Sequence, residues 1–176
     1  MTDPPREGPP TPSPAHAVRV AAITISDTRS AANDDGGTRL CERLTAAGFV
    51  VAVREIVRDD AASVRAVILR VCEEDLADAI VTTGGTGIAP RDVTYEALDG
   101  LLEKRLDGFG EAFRRLSWDE VGPRAVLSRA LAGVYRGRLV AALPGSPKAV
   151  VLAVDRLLAP ILAHAVAVAR GGTHAH

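Results

Sequence analysis

Three aspartates stand where backbone and charge could together hold a phosphate. Asp27 follows the β-branched run Val18–Ser26, and Asp59 follows Val57-Arg58. Asp92 closes a segment that runs Thr83-Gly84-Gly85-Thr86-Gly87 and on through Arg91. Glycine turns let backbone N–H groups approach an anion, and a helix opening after the turn adds its positive end. Carboxylates beside such a turn suit Mg²⁺, which keeps several waters and takes one or two protein oxygens together with phosphate oxygens. The pattern points to a phosphate held with Mg²⁺, with Asp27, Asp59 and Asp92 as the metal candidates.

Each carboxylate also has a structural role open to it, since aspartate caps turns and helices. Asp60 sits directly before a helical pattern and reads as a cap. Asp59 is balanced between the two roles, and Asp92 leans to function because it adjoins the glycine turn. Arg91 and Lys148 are the candidate phosphate partners: arginine grips phosphate with two parallel bonds, and lysine acts as a point charge. Lys148 follows Pro144-Gly145-Ser146-Pro147, where a strand gives way to a helix start.

Other chemistries fit poorly. No GxxxxGK[ST] or GxGxxG phosphate motif occurs, and no GxSxG nucleophile elbow. His16, His174 and His176 lie near the ends and His164 in the last apolar stretch, which leaves no histidine triad and no HExxH zinc site. Cys41 and Cys72 fall on apolar helical faces and read as packing. A net charge of −1 with only six aromatics argues against nucleic acid as a partner. No apolar run is expected to reach the roughly 18 residues of a membrane span, and no signal-peptide core opens the chain. A reduced, cytoplasmic protein is the expectation.

The elements that must position these groups alternate. Strand patterns at Val18–Ser26, Val50–Val57 and Ala79–Thr82 are separated by helical patterns at Gly36–Ala47 and Asp60–Glu74. This alternation predicts βαβ units, a mainly parallel sheet and a ligand edge at the carboxyl ends of the strands. Helices are then expected over Thr94–Glu103 and Phe109–Glu120, followed by a hairpin over Gly133–Ala142 that turns at Arg136-Gly137. Ser146 should cap a long last helix running to about Ala169, which Pro160 should kink or divide. Residues 1–17 hold six of the eleven prolines and read as a disordered arm, 18–169 as one domain, and 170–176 as a flexible tail.

The run IVTTGGTGIAPRDVT over Ile80–Thr94 resembles the molybdopterin-binding proteins of molybdenum cofactor synthesis, the MoaB/Mog family. TISDTR at Thr24–Arg29, IVRDD at Ile56–Asp60, GFGEAFRRLSWDEVG at Gly108–Gly122, LSRALAGVYRG at Leu127–Gly137 and LPGSPKAV at Leu143–Val150 follow in that family's order. The resemblance implies a three-layer α/β/α fold and homo-trimers or homo-hexamers. It implies molybdopterin and ATP as ligands, Mg²⁺ as cofactor, and other molybdenum cofactor enzymes as further partners. It also implies a reaction, adenylylation of molybdopterin with release of pyrophosphate. In that reading Asp59 and Asp92 are catalytic. Ser26, Thr83, Gly84, Gly85, Thr86, Gly87, Arg91, Ser128, Pro144, Gly145, Ser146 and Lys148 bind substrate. Two other functions keep the same residues: a non-catalytic molybdopterin-binding protein of the pathway, and a nucleotide hydrolase of related fold. Tyr95 departs from the proline that many relatives carry after DVT.

Overall fold

Strand β1 (Arg19–Ile25) is buried on both faces along nearly its whole length, as a central strand of a covered parallel sheet must be. It pairs in parallel with β2 (Val50–Val57) on one side and β3 (Ala79–Thr83) on the other. Strand β6 (Arg138–Leu143) extends the parallel set beside β3. Beyond it β5 (Leu131–Tyr135) and the two-residue β4 (Lys104–Arg105) run antiparallel, giving the order β2-β1-β3-β6-β5-β4. The expected mainly parallel sheet is therefore present, with an antiparallel margin. The computed structural model describes residues 17–172. The rest of the expected arm and residues 173–176 lie outside the described part.

Alternate side chains of each strand feed two separate cores. On one face Val20, Ala22, Val81, Leu139 and Ala141 meet helices α1 (Asp35–Ala46), α4 (Asp107–Val121), α5 (Pro147–Ala153) and α6 (Ala159–Ala169). On the other, Ala21, Ile23, Ile80 and Val140 meet α2 (Ala61–Glu73) and the short α3 (Thr94–Asp99). The result is the three-layer α/β/α arrangement, held by the period-two alternation of a strand and the apolar stripes of the helices.

Two expected helices are modified by their surroundings. The Thr94–Glu103 helix stops at Asp99, because Glu103 N–H turns to the Val134 carbonyl (2.9 Å) and β4 pairs with β5. Pro160 divides the last helix as expected: a π-helical turn, Val154–Leu158, comes between α5 and α6. The expectation that no stretch has the length for a membrane span needs correcting. Pro147–Ala169 is long and apolar enough, with a mean hydropathy of 1.8 over its best window. Its inward residues Val150, Val154, Leu158, Leu162 and Val166 are core residues packed on the sheet.

At the amino end of the strands, Asp78 ties the first strand to the end of the last helix. Its carboxylate accepts from Arg19 N (2.7 Å), Arg19 Nη2 (2.9 Å) and Arg170 Nη2 (2.6 Å). Burial would raise its pKa, but these arginine bonds outweigh it and bring the pKa down to about 2. Arg170, placed in the tail by composition, is thus part of the folded body.

Candidate functional site

The carboxyl ends of β1, β2, β3 and β6 lie along one edge, because all four strands are parallel. Their loops carry nearly every residue singled out by the sequence. Gly84 leaves β3 at φ +105°, its N–H bonded to the Leu143 carbonyl (3.0 Å). A Cβ there would lie 2.3 Å from the Ile25 carbonyl oxygen, so the turn admits only glycine. Gly85 follows at φ +64°, and a Cβ there would lie 2.2 Å from Thr94 Oγ1 and 2.8 Å from Asp59 Oδ1. The missing side chain therefore opens the space in which those two oxygens meet the turn.

The three aspartates do converge. Asp59 N–H donates to Asp27 Oδ1 (3.2 Å), which joins the loops after β1 and β2. Burial raises the Asp59 pKa, and the Asp92 and Asp27 carboxylates push it further, against the pull of Arg91. Asp59 Oδ1 and Thr94 Oγ1 are buried without a hydrogen-bond partner. Buried polar atoms are almost always paired, so an orphaned pair beside a glycine turn is a place built to receive something polar. Asp92 is more self-contained: its Oδ2 accepts from Ala89 N (2.8 Å), and its own N–H returns to the Ala89 carbonyl (2.9 Å). Asp60 is the helix cap expected, accepting from Ser63 N (2.8 Å) and Ser63 Oγ (2.7 Å), bonds that lower its pKa.

The site residues fall into two groups. Asp27, Asp59, Arg91, Asp92 and Gly84–Gly87 lie on the loops at the edge, with Asp27 and Arg91 exposed, Asp59 and Asp92 half-buried and Thr86 buried. Ser128, Pro144, Ser146 and Lys148 instead line a cleft of about 1210 Å³ between α4 and α5. Arg39, Arg124 and Arg156 join Lys148 in its lining, with Glu120 and Asp155; Arg39 is paired with Glu42 and Asp155 with Arg43. The groups touch through the β3–β6 junction, where Thr83 Oγ1 donates to the Pro144 carbonyl (3.0 Å) and a Cβ on Gly145 would lie 3.3 Å from Gly84 Cα. Ser26 and Ser146 spend their hydroxyls locally. Ser26 Oγ accepts from Thr28 N and Arg29 N (3.2 Å each), and Ser146 Oγ accepts from Ala149 N (3.2 Å).

Three contributors escaped the sequence reading. Asp34 is buried, caps α1 through Gly37 N (2.9 Å) and accepts from Thr24 Oγ1 (2.8 Å), fixing the first loop. Thr94 reads only as a helix start. Arg129 reaches Gly87 and Asp92 from far along the chain. Only Asp34 had a local signal, an aspartate directly before a helix, with the N–H it caps three residues on.

As to metal, no group of three or more His, Cys, Asp or Glu is arranged as a cage among the described residues. The donor set nonetheless suits Mg²⁺, which needs only one or two carboxylates when phosphate completes its shell. Asp59 Oδ1, buried without a partner and near the Asp92 and Asp27 carboxylates, fits one such ligand position.

The three-layer fold built on this mainly parallel sheet has counterparts among known proteins. A family model described as "Probable molybdopterin binding domain" matches residues 21–164. Molybdenum cofactor biosynthesis protein B of Bacillus subtilis is 45% identical over 150 residues, 85% of this chain and 88% of that one. A crystal structure of a molybdenum cofactor biosynthesis protein B superposes with a TM-score of 0.85 at 42% identity, covering 89% of this chain and 98% of the other. The molybdopterin biosynthesis Mog protein from Mycobacterium ulcerans gives 0.78 at 34%, covering 89% and 99%. The chain belongs to this molybdopterin-binding family, and its place is in molybdenum cofactor biosynthesis.

Proposed function

We propose that the protein transfers the adenylyl group of ATP to the terminal phosphate of molybdopterin. A phosphate oxygen of molybdopterin attacks the α-phosphorus of ATP; the bond from that phosphorus to the α,β-bridging oxygen breaks, and pyrophosphate departs. The supporting observation is the buried, unpartnered Asp59 Oδ1 at the glycine turn, beside Asp92 and next to a cleft rich in cations. The chain supplies no nucleophile; it aligns two anions and offsets their repulsion. Under this reading Lys148 and the cleft arginines draw in the phosphorylated pterin, and the glycine turn presents N–H groups to phosphate. One or two of Asp59, Asp92 and Asp27 would hold Mg²⁺, which when bound neutralises the triphosphate and favours the leaving pyrophosphate.

A second reading has its own support. The relatives at 45% identity are named for a pathway and not for a reaction. A protein that only holds molybdopterin needs the glycine turn and not the carboxylates. Incubation with molybdopterin, ATP and Mg²⁺ separates the two. Adenylylated molybdopterin and pyrophosphate in at least stoichiometric amount, lost when Mg²⁺ is omitted, are expected. Molybdopterin binding without product would replace the first reading with the second.

The chain is also expected to act in the cytoplasm as a homo-trimer or homo-hexamer. Trp118 and Val121 in the last turn of α4, with Val126 and Leu127 in the 3-10 turn after it, expose apolar surface suited to self-association. A monomer by light scattering at micromolar concentration would contradict this.

A further inference from the structure

The segment from Gly87 to Asp92 carries a proposed catalytic carboxylate, yet it belongs to no strand or helix. Its own bonds are local: Asp92 to Ala89, both by side chain and by backbone. Among the described residues, one side chain ties it by hydrogen bonds to the rest of the molecule. Arg129 Nε donates to the Gly87 carbonyl (2.8 Å), and Arg129 Nη2 donates to the Asp92 carbonyl (3.1 Å). Those two carbonyls are the two ends of the loop. The Arg129 backbone N–H adds a bond to the Thr86 carbonyl (3.3 Å). Nη1 and Nη2 also donate to the Glu96 carboxylate in α3, which lowers the Glu96 pKa. The guanidinium lies 5.2 Å from the Tyr95 ring centre, and Arg105 lies against the same ring at 5.9 Å while bonding the Tyr95 hydroxyl (2.8 Å).

We propose that Arg129 is a positioning residue: its guanidinium spans the Gly87–Asp92 loop and sets the place of the Asp92 carboxylate. The inference rests on the adenylylation reading for its catalytic part only. Two features separate it from a phosphate-binding arginine. Four of its five side-chain donor bonds are already directed at protein oxygens. Its charge is also matched by Glu96, so it brings little free positive potential to a ligand. What it supplies is a rigid planar fork of fixed reach, which lysine lacks. Tyr95 holds that fork flat through the cation–π contact.

The test compares wild type with Arg129→Ala and Arg129→Lys; the lysine variant keeps stem and charge and serves if the alanine variant does not fold. Hydrogen exchange should quicken at least about tenfold for amides 87–94 in both variants, while β1 and β3 stay protected. In steady-state assays kcat should fall about 10²-fold with KM for molybdopterin within about twofold, since misplacement of a reacting group costs rate and the cleft is untouched. Lysine should not rescue. Unchanged loop exchange, a lysine variant equal to wild type, or a loosened loop with unchanged kcat would each overturn the proposal. If wild type itself forms no product, the adenylylation reading is what fails. Exchange and calorimetric Mg²⁺·ATP affinity then decide the role of Arg129, and a loosened loop with unchanged affinity overturns it.

Discussion

Asp78 and Asp59 sit at opposite ends of the same parallel sheet, and the chain treats them oppositely. Asp78, just before β3, receives Arg19 and Arg170 and is held ionised, with its pKa near 2. Asp59, just after β2, has a buried oxygen without a partner, and burial with two neighbouring carboxylates raises its pKa. At the amino end the protein completes its own charges and gains stability. At the carboxyl end it leaves charges incomplete, at a cost that a bound ligand can offset. The difference is a physical reason, independent of any relative, for proposing the carboxyl end as the binding end.

Substitutions at the two ends should separate activity from stability. The largest effect belongs to the carboxyl end. Asp92→Ala and Asp59→Asn should each lower turnover about 10²-fold or more, the scale for losing a charge-stabilising group. Folding should survive in both, and Asp59→Asn should melt no lower than wild type because it removes a disfavoured charge. Pyrophosphate release and thermal melts check both points. A folded Asp92→Ala protein with wild-type turnover would remove Asp92 from the mechanism.

Asp78→Asn should do the reverse. It should lower stability on the order of 2 kcal/mol, judged from the depressed pKa, and leave turnover unchanged. Urea unfolding measures it, and a loss under a few tenths of a kcal/mol would mean the arginines contribute nothing net.

The same contrast has a pH signature. Asp78 has a folded pKa of about 2 against an ordinary 3.8, so its stabilisation is complete above pH 3.8 and disappears as pH falls toward 2. The raised pKa of Asp59 acts the other way: its penalty is absent below pH 3.8 and enters as pH climbs through the raised value. Asp78→Asn should therefore flatten the acid limb of the stability curve, and Asp59→Asn should lessen the loss on the higher side. The smallest effect is expected from Lys148→Ala. Loss of one exposed charge in the cleft should weaken molybdopterin binding about fivefold, near 1 kcal/mol, by calorimetry.

Local features of the chain were legible in the sequence. The Asp60 and Ser146 caps bond a backbone N–H three residues on, so residue type and position revealed both. The strands around the glycine turn were legible by β-branched content, and the convergence of Asp27, Asp59 and Asp92 followed from parallel order. Long-range decisions were not legible. Arg129 meets Gly87, Asp92 and Glu96 across 42, 37 and 33 residues, and no local pattern marks such a pairing. Strand β4 is two charged residues long and exists only because β5 passes beside it. Leu102 packs where Gly133 lacks a side chain, a fit invisible along either segment alone.

The seating of β6 beside β3 also bears on how the protein is made. Gly84 N–H closes on Leu143, and Thr83 Oγ1 closes on Pro144, about sixty residues later in the chain. A ribosome delivers β1, β2 and β3 first, and the glycine turn then waits for the hairpin to emerge and dock. Synthesis therefore builds the scaffold before the ligand edge. A chain ended at Arg136 is expected to show exchange-labile amides at Gly84 and Gly85, and protection there would mean the turn forms alone. On this account a chain cut short in translation carries the first three strands but not the closed glycine turn.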